Sequence, residues 1–237
     1  MEVLLAAAGQ PAPPPVPDLV DADLLDEVPA DLATLLQRLP QADLYLQDEV
    51  QLAFHPTLTR VWCRKGRRGQ RLVEAPGANA KVYGFGILDW CDGWFDGVLA
   101  PGRTAAAFCA QVRTAVARSR SRGRMAIVLA DNLRTHTPAG SKLVRHMLAE
   151  LDGHLHLVYT PPYDPDANRI EWLWRRTRRE VTHNHQRATF ADVQADLRDH
   201  FQRLAAQPNA VLRQVGSSFA DEPARLPAAE RPFAYAA

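Results

Sequence analysis

Three acidic residues stand where a metal site could be built. Asp48 and Asp131 each end a hydrophobic run, and Glu171 lies in the first turn of a helix that follows a proline-bearing turn. Cutting a phosphodiester bond requires an activated nucleophile and neutralised phosphoryl charge, which two Mg²⁺ ions about 3.5–4 Å apart can supply. Because carboxylate oxygens are the ligands that Mg²⁺ prefers, the sequence predicts that Asp48, Asp131 and Glu171 are metal ligands and catalytic residues.

Glu49 competes with Asp48 for the first of these positions. Side chains alternate along a strand, so Asp48 shares a face with Leu44 and Leu46 while Glu49 lies on the opposite face. Taken singly, Asp131 could simply end a strand and accept hydrogen bonds from nearby backbone amides, with no metal involved. Glu171 alone could only complement a helix dipole. The three acids in this order, on these elements, favour a metal site.

The order of predicted elements indicates an α/β fold. Antiparallel strands come first, and parallel strands joined by helices follow, which is typical of a ribonuclease H-like, mixed five-stranded sheet with helices on both faces. In open sheets of this kind the active site lies at the carboxyl ends of central strands. The predicted strands span 42–50, 81–90, 94–99, 125–130 and 154–159, a hairpin spans 61–74, and the predicted helices span 104–119, 137–151, 167–181 and 189–204.

Composition bounds the class of protein. The 237 residues are 46% apolar, enough for one sizeable core. No apolar run approaches the roughly 20 residues of a membrane span, the first residues lack the basic start of a signal peptide, and the three cysteines form no disulfide or zinc pattern. We therefore expect a protein of a reduced, intracellular compartment such as the cytoplasm. The predicted parts are a proline-rich acidic extension over 1–40, a catalytic domain over 41–216 and a loosely ordered tail over 217–237.

Charge is distributed unevenly along the chain. The overall net charge is +1, but residues 1–50 carry ten acids and one base, and the remainder carries 27 bases and 17 acids. A basic body indicates a polyanionic partner, and arginine suits bidentate phosphate contacts. The alternative is that such arginines only form a solvated charged surface. A weaker set of candidates for phosphate contacts, which could instead only solubilise a loop, is Arg118, Arg120, Arg122 and Arg124. The residues predicted to bind DNA are Arg64, Lys65, Arg67, Arg68, Arg175, Arg176 and Arg179.

Residues from about Leu44 to Leu204 resemble the catalytic domain of DDE transposases of the mariner superfamily, in the bacterial insertion-sequence branch. The segments that carry the likeness cover about two-thirds of the chain. They are Gln47-Asp48-Glu49, Trp62 through the Gly69 turn, Asp131-Asn132 with His136 five positions after the aspartate, and Pro161-Pro162-Tyr163 through Asn168-Arg169-Ile170-Glu171-Trp172.

This resemblance implies a metal-dependent DNA endonuclease and strand transferase that moves an insertion sequence. Asp48, Asp131 and Glu171 would bind two Mg²⁺ ions, with Mn²⁺ able to substitute. Asn132, His136 and Asn168 would orient the carboxylates or touch the scissile phosphate. For Asn132 and His136 the alternative is ordinary hydrogen bonding within a loop or at a helix cap. The implied partners are double-stranded DNA, both element ends and target, bound by a homodimer that integrates at TA dinucleotides.

The sequence departs from the family pattern in three places. The interval between Asp131 and Glu171 holds 39 residues, slightly more than is usual, and Arg169 replaces a usual proline. No helix-turn-helix module is evident over 1–40. The chain therefore resembles the catalytic half of a split or truncated transposase, and we expect that a separate helix-turn-helix chain could supply DNA recognition.

Two other functions remain open from the sequence. A remnant that binds DNA without cutting it would keep the fold and the basic surface. A structure-selective nuclease, such as a ribonuclease H or a junction resolvase, would share the fold without the integration step.

Overall fold

The computed structural model describes residues 42–66, 72–74, 76–160 and 168–217. Its centre is one mixed sheet with the strand order β3-β2-β1-β4-β5. The central strand β1 is antiparallel to β2 and parallel to β4. The strands are β1 (Ala42–Ala53), β2 (Lys81–Asp89), β3 (Phe95–Ala100), β4 (Met125–Ala130) and β5 (Leu155–Tyr159).

Helices cover both faces of the sheet and divide the core in two. One core packs the β1 face bearing Leu44 and Leu46 against the three C-terminal helices. The other packs the face bearing Tyr45 against the two helices that flank β4 in sequence. The helices are α1 (Ala105–Ser121), α2 (Lys142–Glu150), α3 (Ile170–Thr177), α4 (Phe190–Ala205) and α5 (Pro208–Val215), with a π-helix over Arg178–Thr182 directly after α3.

Local sequence explains the positions of these elements. All six residues of β4 are buried, as expected for an apolar run covered by helices on both faces. The Thr104 side chain caps α1, and Thr189 and Asp192 form a reciprocal capping box at the start of α4. The predicted fold class is confirmed by this sheet, its register and its two helical layers.

The predicted hairpin over 61–74 is wrong in the part that the structure describes. Residues 61–64 and 72–74 form no strand, and Trp62 is fully exposed. Arg67 and Arg68 lie outside the described residues. The preceding segment is instead held against the end of the π-helix, where Thr59 N–H donates to Asn184 Oδ1 at 2.9 Å. This contact leaves the described basic residues Arg64 and Lys65 on an exposed segment.

The second helix starts later than the sequence predicts. Thr137 accepts a hydrogen bond from the Gly140 amide at 3.2 Å, which closes a turn rather than beginning a helix. α2 begins after Ser141, whose side chain accepts from Val144 N–H. The last helix, α5, was not predicted.

Arginines near the end of α1 are engaged inside the fold at the edge of the sheet where β1 begins. This far-edge ion cluster consists of three aspartates and three arginines: Asp43, Asp89, Asp92, Arg118, Arg122 and Arg124. The prediction that Arg118, Arg122 and Arg124 contact phosphates or solubilise a loop is therefore wrong, because their charges are compensated internally. Among the described residues, no helix is both long and apolar enough to cross a membrane.

Candidate active site

The register of the sheet brings Asp48 and Asp131 side by side. The parallel pairing of β1 and β4 ends with Leu46 beside Leu129. Two positions further along each chain are Asp48 and Asp131, and neighbouring strands lie about 4.8 Å apart. β1 continues beyond this point and β4 does not, so the two carboxylates meet at the carboxyl edge of β4. This arrangement agrees with the prediction that the two acids lie together at the carboxyl ends of central strands.

α3 brings Glu171 to the same place. Asn168 Nδ2 donates to the Gln47 carbonyl at 2.8 Å, which fixes the start of the helix against β1. Trp174 is fully buried, and its Nε1–H donates to Asp48 Oδ2 at 3.0 Å. Glu171 lies three residues before Trp174 and so shares its helix face. The helix therefore presents both the acid and the indole donor towards Asp48.

The electrostatics of Asp48 show that these acids are close. Burial raises the pKa of Asp48 well above the usual aspartate range, and repulsion from Glu171 adds to the rise. The carboxylates of Glu49 and Asp131 contribute in the same direction, and the hydrogen bond from the Glu49 amide opposes them. The structure thus brings Glu171 and Asp131 near enough to Asp48 for both carboxylates to repel it. Such a group can bind a divalent cation, because the cation removes the repulsion.

His136 joins two carboxylates from opposite sides of its ring. Its Nδ1 lies 2.5 Å from Asp131 Oδ1, and its Nε2 lies 2.9 Å from Glu49 Oε1. The ring stacks on Phe108 with centroids 4.3 Å apart. Burial lowers the pKa of His136, but the hydrogen bonds to Asp131 and Glu49 outweigh burial and raise the pKa to about 9. The raised pKa favours an imidazolium, which bonds to Asp131 through Nδ1 and forms an ion pair with Glu49 on the Nε2 side.

The same contacts keep Asp131 ionised. Burial opposes its charge, but the hydrogen bond and the positive charge of His136 lower the pKa of Asp131. The Leu133 amide and the guanidinium of Arg103 add smaller contributions in the same direction. Asp131 and Asp48 therefore differ, since one is stabilised as an anion by the protein and the other is not.

Glu49, Asp131 and His136 also lie close enough together to suggest a metal site of their own, with ligand atoms within 4.8 Å of one another. An ion-pair bridge describes them better, because both His136 nitrogens already face carboxylates and the Glu49 side chain is only 1% exposed. The sequence suggested Glu49 only as an alternative to Asp48 and did not predict its contact with His136. Strand alternation correctly placed it on the face opposite Asp48, but nothing in the sequence indicated that His136 would meet it there.

The two asparagines predicted near the site hold its framework. Asn132 Nδ2 donates to the Thr160 carbonyl at 2.6 Å and so joins the end of β4 to the end of β5. Asn168 fixes α3 to β1, as described above. Their further role towards a phosphate stays a prediction.

The predicted DNA-binding arginines on α3 differ in their surroundings. Arg175 and Arg179 are exposed, whereas Arg176 Nε donates to Glu180 at 2.7 Å. Arg179 lies in the π-helix, whose i→i+5 bonding changes the spacing of side chains. Arg179 therefore does not follow Glu171 at regular α-helical spacing.

Comparison with known proteins gives matches of two kinds, in sequence and in fold. The family model described as "DDE superfamily endonuclease" matches residues 43–194. The uncharacterized 39 kDa protein of insertion element IS630 from Shigella sonnei is 26% identical over 165 residues, covering 70% of this chain and 46% of that protein. This chain thus spans about half the length of the curated relative that it matches.

Solved structures of the Mos1 mariner transposase share the fold. The paired-end complex with Mg has a TM-score of 0.53 and 15% identity, covering 93% of this chain and 67% of that one. The paired-end complex with Mn has a TM-score of 0.51 and 15% identity, covering 91% and 66%. At this identity the likeness confirms the predicted fold.

Proposed function

Because this chain belongs to the DDE superfamily endonuclease family, we propose that it is the catalytic part of a transposase. It cleaves DNA at the ends of an insertion sequence and joins the cut ends to a target. The observation that carries this proposal is the convergence of Asp48, Asp131 and Glu171, seen in the strand register and in the repulsion that raises the pKa of Asp48. The curated relative is a protein of an insertion element, which supports the same function.

The proposed cofactor is a pair of Mg²⁺ ions, with Mn²⁺ able to substitute. The donor set fits hard divalent cations, because it offers three carboxylates, two of which repel a buried third, Asp48. When bound, such ions would activate the attacking water or 3′-hydroxyl and neutralise charge on the scissile phosphate.

Protein groups orient the carboxylates for this role. His136 and the Leu133 amide both bond to Oδ1 of Asp131, and Trp174 bonds to Oδ2 of Asp48. These bonds restrict rotation of both carboxylates, so the second oxygen of each is the one proposed to bind metal. Catalysis then depends on positioning and charge neutralisation, as in other phosphoryl transfers.

The proposed partner is double-stranded DNA, at the element ends and at the target. The exposed residues Arg64, Lys65, Arg175 and Arg179 support this proposal, because exposed guanidinium and ammonium groups suit phosphate contacts. The related Mos1 structures are paired-end complexes, so we further propose that this protein works as a homodimer on DNA. A separate helix-turn-helix chain for end recognition and a bacterial, nucleoid-associated location belong to the same proposal.

Nicking of supercoiled plasmid DNA by the purified protein tests the enzymatic function. Nicking is expected with Mg²⁺ or Mn²⁺, and Asp131→Asn is expected to reduce it at least 100-fold by removing a metal ligand. Asp199→Asn is the matched control, because Asp199 is exposed on α4. DNA binding without any nicking would instead show a non-catalytic remnant. Preferred cleavage of an RNA–DNA hybrid or a four-way junction would show a structure-selective nuclease.

A further inference from the structure

Two cations share one aromatic ring on the β2 side of the site. Lys81 Nζ lies 5.8 Å from the centroid of the Tyr83 ring, and Arg103 Cζ lies 5.5 Å from it. Lys81 and Arg103 are exposed, and neither forms an ion pair with a carboxylate in the described part of the chain. We call these three residues the Tyr83 platform. It places two exposed positive charges on one ring.

The platform lies at the same sheet edge as the carboxylates. Tyr83 pairs with Gln51 of β1 on one side and with Ala100 of β3 on the other. Tyr83 O–H also donates to Gln51 Oε1 at 3.1 Å. Gln51 is three residues beyond Asp48 on β1, a separation of about 10 Å along the strand.

The platform and the α3 arginines lie on opposite faces of the sheet. Tyr83 packs on the core beneath α1 and α2, whereas α3 packs on the other core. Arg103 directly precedes Thr104, the N-cap of the 17-residue helix α1, whose first turn contains no acid. The positive end of the helix dipole therefore adds to the charge of the platform.

We propose that the Tyr83 platform binds the phosphate backbone of the target duplex, while the α3 side binds the element end. This inference rests on the proposed function, because joining two DNA molecules requires two duplexes to reach the same carboxylates. Positive charge on both faces of the sheet provides a separate approach for each duplex. Tyr83 holds the Arg103 guanidinium through a cation–π contact and keeps it directed to the sheet edge.

The first test measures joining of a pre-cut element end, taken from the DNA that flanks this reading frame, to a supercoiled target plasmid. In the double variant Lys81→Ala, Arg103→Ala, the apparent KM for target plasmid is expected to rise about tenfold, consistent with the loss of two phosphate contacts. Arg198→Ala is the matched control, because Arg198 is exposed on α4, and its KM for target should equal that of the wild type. An unchanged KM for target in the double variant would overturn the proposal. The proposal would also be overturned if the double variant bound the labelled end duplex more weakly but kept the wild-type KM for target plasmid.

The second test measures binding alone and is independent of catalysis. A fluorescent 30-base-pair duplex of random sequence is titrated with protein in Ca²⁺ at several salt concentrations. The slope of log K against log salt should become smaller by about 1.8 in the double variant, about 0.9 for each lost phosphate contact. An equal slope in variant and wild type would overturn the platform. Failure of the wild type to cut or join DNA would count against the proposed function only. The salt dependence of binding would then still show whether the Tyr83 platform contacts DNA phosphates.

Discussion

Asp48 and Asp131 occupy the same site with opposite electrostatic surroundings. His136 stabilises Asp131 as an anion, whereas Asp48 is buried and faces Glu171. Metal binding at this site therefore draws on two features: Asp131 supplies a charged ligand held in one orientation, and a cation beside Asp48 would offset the repulsion that it meets from Glu171.

The buried residue Glu49 is expected to act on the metal through His136. Glu49→Gln removes the charge that pairs with His136 Nε2, so the ring holds Asp131 less firmly. Partners of this kind typically change metal affinity by about 10–100-fold. We expect Glu49→Gln to weaken Mn²⁺ binding within this range, measured by electron paramagnetic resonance, and high Mn²⁺ to restore much of the nicking activity.

Glu74→Gln provides the matched control for this substitution, because Glu74 is exposed and lies outside the site. It should bind Mn²⁺ as the wild type does. If Glu49→Gln binds Mn²⁺ within twofold of the wild type while losing activity, Glu49 does not position Asp131. Glu49→Asp, which keeps the charge, should recover part of the affinity.

The sequence was sufficient to predict the acids of the site but not the contacts that orient them. Asp48, Asp131 and Glu171 are marked by hydrophobic runs, a helix start and a motif, all of which are local in the chain. The bridge from Glu49 through His136 to Asp131 and the indole bond from Trp174 to Asp48 depend on the side-chain geometry of the fold. No spacing rule in the sequence specifies them.

β2 and α3 pack closely beside the site, where Gly86 leaves room for the Trp174 indole. A Cβ added to Gly86 would lie 2.3 Å from the indole of Trp174, the residue that bonds to Asp48. We expect Gly86→Ala to displace this indole, to lower the free energy of unfolding by about 1–3 kcal/mol, and to reduce nicking. Urea denaturation and the plasmid assay measure the two effects.

Gly77→Ala is the control, because a Cβ at Gly77 would meet nothing within 4 Å. It should leave both stability and nicking close to those of the wild type. Wild-type stability and activity in Gly86→Ala would show that Trp174 can move without disturbing Asp48.

The π-helix after α3 packs near a buried histidine of α4 that should make stability sensitive to acid. Burial lowers the pKa of His200 to about 4, although Glu180 partly opposes the shift. The folded protein therefore keeps this ring neutral where the unfolded chain, with a pKa of about 6.5, already binds a proton. The contribution of His200 to stability is complete above about pH 6.5 and is lost as the pH falls towards 4.

We expect the wild-type free energy of unfolding to decrease by about 2 kcal/mol between pH 6.5 and pH 4.5 on account of this group. In His200→Gln this part of the decrease should be absent, and urea denaturation at each pH measures the difference. His146→Gln, at an exposed position of α2, should follow the wild-type curve. A parallel decrease in His200→Gln and the wild type would contradict the assignment.

Elements with strong local patterns were predictable, and those shaped by tertiary contacts were not. The apolar run of β4 and the Thr189 cap of α4 indicated their elements directly. Residues 61–64 alternate like a strand, yet they have no described partner strand. α5 carried an overlooked signal, since Pro208 is its first residue and Gly216 follows its last at a φ of 67°.

The number of basic residues in the sequence overstates the positive charge that the folded domain presents at its surface. Arg118, Arg122 and Arg124 are compensated by buried or half-buried aspartates at the far edge of the sheet. The exposed cations described here lie instead near the carboxylates, on both faces of the sheet. Net charge predicted a polyanionic partner, but only the fold shows which arginines are paired with aspartates inside it.

The order of elements predicted the architecture of the whole molecule better than the boundaries of its parts. Antiparallel strands followed by strand–helix alternation admit few topologies, and the observed sheet is the expected one. The boundaries at 1–40, 41–216 and 217–237 stay predictions, since residues 1–41 and 218–237 lie outside the described part of the chain.

The length of β1 has a consequence for any DNA-recognition unit that acts together with this domain. Ala42 begins the strand at the far-edge ion cluster, and Asp48 lies six residues further on, roughly 20 Å away. A unit joined ahead of Ala42 thus enters on the side away from the carboxylates. To bring a bound element end to the carboxylates, such a unit must either extend around the edge of its own sheet or present that end to the catalytic domain of a second copy.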